Sequence, residues 1–463
     1  MKEKSRGTFN GSIGFVLAAA GSAVGLGNIW RFPFLAARDG GGLFLVIYIV
    51  LALTFGFTLL TTEICIGRKT KQSPLTAYKK LHEKWGWIGI FACVVPFMIM
   101  PYYCAIGGWV IKYFVTFLTG GGKGAAADGY FGSFITGTTE PAVYMTLFLA
   151  ACALIIFVGV EKGIEKTSKI MMPILFVLVV IIAVFSLTIR HTHPDGQVVT
   201  GLQGLKIYLI PRLDGIGVKE FFRVLMDALG QLFYSLSIAM GILIAYGSYM
   251  PDDTDIVKSV NQIEIFDTLV AFLAGVMIIP AVYVFMGAEG MSSGPSLMFV
   301  SLPKIFAEMG ALGDIVGTVF FALVLFAAIT SGMSIMEAVV SSFMDEFKLD
   351  RTRATVIEGV LALVIGLVVC FGYNFMYFEF KLPNGSVGQV LDIMDYVSNY
   401  IMMPIVAIAT CILIGWVLKV DVVIGEATKN GEKFSRKGLY VVMIRFIAPL
   451  LLGILLLMSL GLL

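Results

Sequence analysis

The sequence predicts an all-α integral membrane protein made of two inverted five-helix repeats, with broken helices 1 and 6, followed by an eleventh helix. Three observations predict this. First, 58% of the 463 residues are hydrophobic and 14% are charged, with a mean hydropathy of +0.91, too apolar for a soluble domain of this length. Second, apolar runs near the roughly 20 residues needed to cross a bilayer recur along the whole chain. Third, the first and sixth of these runs are interrupted by glycines and hydroxyls at mid-membrane depth.

The apolar runs fall at about 11 to 37, 42 to 66, 86 to 118, 141 to 159, 168 to 189, 221 to 249, 261 to 287, 312 to 343, 355 to 373, 387 to 418 and 438 to 463. No polar stretch between them is long enough for a separate domain, so one membrane domain is expected. Lys and Arg concentrate in the segments that face the cytoplasm if the amino terminus is cytoplasmic. The positive-inside rule therefore predicts a multi-pass protein of the cell (plasma) membrane with that orientation, and an odd number of spans leaves Leu463 outside. The polar start, MKEKSRGTFNG, runs into the first span without a small-residue cleavage site, so no removable signal peptide is expected.

In the first span, GSAVGLGN (Gly21 to Asn28) sets three glycines within seven residues, enough to unwind a helix in lipid. Its counterpart in the sixth is SLSIAMG (Ser235 to Gly241). Two broken spans five apart match an inverted repeat, because an odd number of spans flips the second half, and such breaks mark a binding site at the midplane. Repeat one is expected over about 8 to 190, repeat two over about 218 to 419, and the last helix over about 438 to 463. Close helix packing through small residues is the other explanation for glycine-rich spans.

Composition excludes other classes. A net charge of +2 gives no reason to expect a nucleic-acid partner. The six cysteines lie in or beside apolar runs without CxxC pairs, as buried thiols rather than metal ligands or disulfides. The three histidines fall in loops, and neither HExxH nor GxSxG occurs, so no enzyme is expected.

The segments GSAVGLGNIWRFPFLAARDGGG, GQLFYSLSIAMG, AAITSG and LDIMDY occur in that order, and with them the chain resembles the neurotransmitter:sodium symporter family, in its bacterial amino-acid branch. The resemblance runs from about Arg6 into the last span. It implies sodium-coupled symport of a small, apolar or aromatic L-amino acid by alternating access, with two sodium ions as coupling ions. An amino-acid-gated sodium channel or a receptor without transport on the same fold is the alternative.

Sodium fits the residues, since bare carbonyls, hydroxyls and a carboxylate are hard oxygen ligands. By the resemblance, the first sodium site comprises Ala23 (carbonyl), Asn28, Ser235 and Asp267, with the substrate carboxylate as a further ligand. The second comprises the carbonyls of Gly21, Val24 and Ala327 with the hydroxyls of Thr330 and Ser331. Those hydroxyls could instead bond back to the preceding helical turn. The implied substrate pocket is Ala23, Gly25, Gly27, Ile99, Tyr103, Tyr234, Ser235, Ser237, Met240, Ser331 and Ile335. Free N–H groups near Gly27 and the Tyr103 hydroxyl suit a carboxylate, and carbonyls of the sixth span suit an ammonium. Gly25 stands where amine carriers of the family place an acid, so the substrate is expected to bring its own negative charge. Ala239 stands where glycine is usual.

No chloride requirement is expected. The positions implied for it are Tyr48, Gln231, Ser235, Asp267 and Ala271, where Ala271 lacks a hydroxyl and Asp267 supplies a fixed negative charge. Arg31 and Asp395 resemble an extracellular gate closed by a salt bridge above Tyr234. Arg6 and Asp345, near Tyr249, resemble the cytoplasmic gate, where Phe9 replaces a tryptophan and is expected to loosen the lid. Glu63 is expected to tie the second span to the unwound sixth. Gly163 and Pro173 match a glycine–proline spacing at which the fifth helix can unwind, or mark a plain proline kink.

Overall fold

The computed structural model describes residues 7–193, 196–212, 217–290 and 296–463. Among them, nine helices are long and apolar enough to cross a membrane: Gly42–Thr70, Glu83–Leu118, Thr139–Val158, Val160–Thr188, Ile256–Gly287, Leu312–Glu346, Arg351–Phe371, Val390–Val417 and Lys437–Ser459. A tenth span is the pair Gly11–Ala23 and Gly27–Arg38, bent by 54° at its break. The helices Val218–Ser235 and Ile242–Ser248, separated by Leu236–Gly241, complete an eleventh. Numbered along the chain, the broken spans are the first and the sixth, as the glycine and hydroxyl pattern predicts.

Several spans begin earlier than the apolar runs. Span 5 starts at Val160 with a widened turn, Val160–Glu165, rather than at 168. Span 7 starts at Ile256 and span 9 at Arg351. Their first turns carry charged residues that hydropathy counts against a span, yet helical backbone continues through them outside the hydrocarbon depth. Gly163 lies in the widened turn, and Pro173 is inside the following helix, Lys166–Thr188.

The two breaks have different causes. In span 1, the Val24 amide still bonds to Ala20 O, but its ψ of 88° ends the helix, and Asn28 N turns to Gly25 O at 3.2 Å. In span 6, Ser237, Ala239 and Gly241 all take left-handed φ values of 54°, 64° and 72°. Two of these residues carry a Cβ, a strain of about 1–2 kcal/mol each that the surroundings must offset. Glu63 does part of this: its Oε1 accepts the Ala239 amide at 2.7 Å, the tie between spans 2 and 6 read from the sequence. Below the break the two backbones pack tightly, since a Cβ at Gly67 would strike Ile244 O and one at Gly247 would strike Ile64 O.

Outside the spans, Arg190–Thr192 and Val198–Thr200 form an antiparallel hairpin, and Leu302–Glu308 is a short helix ahead of span 8. The six cysteines are free and buried.

Candidate functional site

The breaks in spans 1 and 6 face each other across a cavity with about 350 Å³ free of atoms. All of the pocket residues named from the sequence line it: Ala23, Gly25 and Gly27 from span 1, Ile99 and Tyr103 from span 3, Tyr234, Ser235, Ser237 and Met240 from span 6, and Ser331 and Ile335 from span 8. Ser22, Leu26 and Asn28 line it as well. Ser22 was not singled out in the sequence, although it lies inside the broken segment. Its hydroxyl meets that of Ser237 at 3.1 Å, and its carbonyl accepts from Ser237 Oγ and Ser331 Oγ, each at 3.2 Å. Spans 1, 6 and 8 are thus stitched together at the side of the cavity.

Two features of the lining point to an anionic group. The Tyr103 hydroxyl is buried and makes no well-formed hydrogen bond, with the Ser331 hydroxyl as a near polar neighbour, an arrangement that costs stability unless something arrives to use it. Gly25 faces the same hydroxyls: a Cβ there would stand 2.7 Å from Ser331 Oγ, which would have to move, and 3.8 Å from the Tyr103 hydroxyl. Tyr234, partly exposed, lies over Gly27 with its ring 3.1 Å from where a Cβ would sit. Ile99, Met240 and Ile335 supply the apolar wall.

Beside the cavity, Asp267 of span 7 is fully buried. Its Oδ1 accepts from Asn28 Nδ2 at 2.7 Å and Ser235 Oγ at 2.8 Å, and its Oδ2 from the Tyr48 hydroxyl at 3.1 Å. Ser235 Oγ also reaches Asn28 Oδ1 at 3.0 Å. No Lys or Arg among the described residues pairs with this carboxylate, Lys258 included, so its charge is met only by neutral donors. Nearby, Gln231 Nε2 donates to Gly27 O at 3.0 Å, and its Oε1 is buried without a partner. Ala271 is buried on the same span.

The other neutral oxygen set lies between spans 1 and 8. Ser331 Oγ is 3.4 Å from Gly21 O, and a Cβ on Gly21 would stand 3.3 Å from Thr330 Cβ. Thr330 Oγ1 bonds back to Phe326 O and Ala327 O at 3.0 Å each, the local arrangement open to any membrane threonine. The Val24 carbonyl belongs to the break itself.

The two ends of the site differ. At the Arg31 end, no ion pair joins Arg31 to Asp395, contrary to the closed gate expected from the sequence. Asp395 Oδ1 instead accepts from Tyr102 at 3.2 Å and Asn399 at 2.6 Å, and Asn399 also donates to the Tyr102 hydroxyl at 3.1 Å. Arg31, Tyr234 and Asp395 are all partly exposed. The positive charge is still near enough to act on Asp395.

The Phe9 end is packed shut. Arg6 lies outside the described residues, and Asp345 Oδ2 accepts from Ser73 N at 2.6 Å. Phe9 is buried, edge-on against Phe15, Tyr246 and Tyr249, and its amide bonds to Tyr249 O. The Phe9 ring, in place of the expected tryptophan, is part of this plug. Tyr249 donates to Glu337 Oε1 at 2.6 Å, and Arg351 holds both oxygens of Glu337 at 2.6 and 2.8 Å. Glu337 and Arg351 were not found from the sequence. An acid inside the AAITSG-bearing span and an Arg at the start of the next were the available signal.

Two helices broken at one depth, around a cavity with an unspent hydroxyl and two oxygen clusters, one open end and one plugged end, define a membrane transporter rather than an enzyme. The chain belongs to the sodium:neurotransmitter symporter family, whose model matches residues 6–121 and 132–462. It is 31% identical to an uncharacterized sodium-dependent transporter, YhdH, of Bacillus subtilis over the full length of both chains. It is 25% identical to the human sodium- and chloride-dependent GABA transporter 2, over 82% of this chain and 70% of that one. The crystal structure of MhsT in complex with L-phenylalanine superimposes with a TM-score of 0.85 at 32% identity, covering 98% of this chain and all of the other.

Proposed function

We propose that this protein carries a zwitterionic L-amino acid with an apolar or aromatic side chain into the cell, driven by two sodium ions and without chloride. The observation that carries the reading is the Tyr103 hydroxyl, buried and without a well-formed hydrogen bond in a cavity between two helix breaks, beside a Gly25 that brings no acid of its own. A substrate carboxylate would take the hydroxyl and the free amides of span 1, and carbonyls of the broken span 6 would take the ammonium. Ile99, Met240 and Ile335 would receive the side chain, with Met240 adapting to its shape. The bound phenylalanine in MhsT, the solved structure described above, supports this class.

One sodium would lie among Ala23 O, Asn28, Ser235, Asp267 and the substrate carboxylate, the other among Gly21, Val24, Ala327, Thr330 and Ser331. The Asp267 charge, met by no cation, would offset the repulsion between the two ions, the task chloride would otherwise perform. The Phe9 end would be cytoplasmic, as the Lys and Arg distribution supports, and the Arg31 end extracellular. Arg31 and Asp395 would pair on closure, and Tyr249 would part from Glu337 on inward opening. Two sodium ions entering down 100 mV supply roughly 4.6 kcal/mol, enough for about a thousandfold accumulation.

The test is binding of radiolabelled L-phenylalanine to the purified protein with and without sodium, with the other amino acids and their decarboxylated amines as competitors. Sodium-dependent binding displaced by apolar amino acids and not by amines supports the reading. Equal displacement by tryptamine and tryptophan overturns it.

A further inference from the structure

Glu358 is set seven residues into span 9, in lipid-embedded helix, and is fully buried. Neither of its carboxyl oxygens has a hydrogen-bond partner. The other buried acids among the described residues are all engaged: Asp39 with Arg38, Glu63 with Ala239 N, Glu165 with Lys169, Glu264 with Arg436, Asp267 with Asn28, Glu337 with Arg351 and Glu426 with Arg68. Among the described residues, no charged side chain stands close enough to act on Glu358. The Cys93 and Cys104 thiols of span 3 lie within electrostatic range of it, and Cys93 in turn meets the Ser342 hydroxyl of span 8. Span 8 has its acid, Glu337, committed to Arg351 and Tyr249, and span 4 presents no charged group to it.

An ionised carboxylate without a partner in such dry surroundings costs far more than the neutral acid, so the group holds a proton while this end of the molecule is closed. Arg351, two turns earlier on the same face of span 9 and about 10 Å away along the helix, grips the Glu337 that holds the Tyr249 plug. Opening of this end would part Tyr249 from Glu337 and would give water a path toward Glu358.

We infer that Glu358 is a proton-binding site of the Phe9 end, protonated when that end is closed and giving its proton to entering water when it opens. The carboxyl O–H bond breaks, the proton passes to water or buffer on that side, and it is regained from the same side on closure, so no proton crosses the membrane. Mild acid on that side would then hold the end shut, and alkali would favour opening. The inference rests on the alternating-access reading above.

The experiment uses the full-length protein in liposomes, as wild type and Glu358→Gln. Infrared spectra should show a protonated-carboxylic-acid band in the wild type with sodium present that is missing in Glu358→Gln. Labelling of Cys93 by a water-soluble maleimide should rise when sodium is removed, and this rise should grow severalfold from mildly acidic to mildly alkaline buffer in the wild type. In Glu358→Gln, the rise should be the same at both pH values. An acid band unchanged by Glu358→Gln, or an equal pH dependence in both proteins, overturns the inference. Labelling indifferent to sodium in both proteins would instead defeat the alternating-access reading, while the infrared comparison still decides whether Glu358 holds the proton.

Discussion

Ser235 Oγ of the broken span 6 donates to Asp267 Oδ1 of span 7 across 2.8 Å, so a buried carboxylate beside the cavity is fastened to the segment that must rearrange. Asn28 of the broken span 1 bonds to the same oxygen at 2.7 Å. One carboxylate therefore reports on both breaks, and a cation entering among these oxygens would bind spans 1, 6 and 7 together.

Asp267→Asn should weaken sodium binding roughly tenfold to a hundredfold, since hydrogen bonds and ion contacts to a charged group are worth about 1.5–3 kcal/mol. Uptake by the wild type should be unchanged when gluconate replaces chloride. The double variant Asp267→Asn, Ala271→Ser should transport poorly in gluconate and regain part of its rate on adding chloride. Sodium titrations in the two anions check this, and a wild type that stops in gluconate refutes it.

Glu63→Ala should destabilise the protein by about 1–3 kcal/mol, because it strands the buried Ala239 amide. Glu63→Gln keeps an acceptor and should lose much less. Ala239→Gly should raise stability by about 1 kcal/mol by relieving a left-handed φ. Thermal unfolding in detergent measures all three. A Glu63→Ala protein as stable as wild type would mean the tie is dispensable.

Tyr103→Phe should cost roughly tenfold to a hundredfold in affinity for amino acids, again about 1.5–3 kcal/mol for a bond to a carboxylate. It should leave sodium binding nearly unchanged. Competition assays separate the two effects, and equal affinity in the variant would place the carboxylate elsewhere.

Asp395→Asn should leave sodium binding intact and slow uptake, because closure needs a charge for Arg31 to meet. Tyr102→Phe removes one of the present partners of Asp395 and should ease that closure. Uptake at the wild-type rate in Asp395→Asn would remove Asp395 from the gate.

Much of this was legible in the sequence. Glycines at 21, 25 and 27 and hydroxyls at 235 and 237 fit broken helices, because unwound backbone at membrane depth is tolerated where it is buried in protein or lines a cavity, though small residues also serve close helix packing. The pocket residues followed from the motifs and do gather around one space. What was hidden has physical reasons. The first turns of spans 5, 7 and 9 are helical but polar, so hydropathy starts these spans too late. The partners of Asp395 depend on which conformation the outer end adopts, and Asn399, four residues on, competes locally with a distant Arg31. Glu337 and Arg351 meet only through tertiary packing. Ser22 carried no signal of its own in the sequence, and its role appears only where spans 1, 6 and 8 meet at its oxygens.

Uptake of radiolabelled L-phenylalanine into proteoliposomes, with sodium outside only or equal on both sides, tests the central claim most directly. The account predicts accumulation above the outside concentration under the inward sodium gradient, saturation with substrate, and collapse when sodium is equilibrated. Uptake that only equilibrates, or that is the same with and without the gradient, would contradict it.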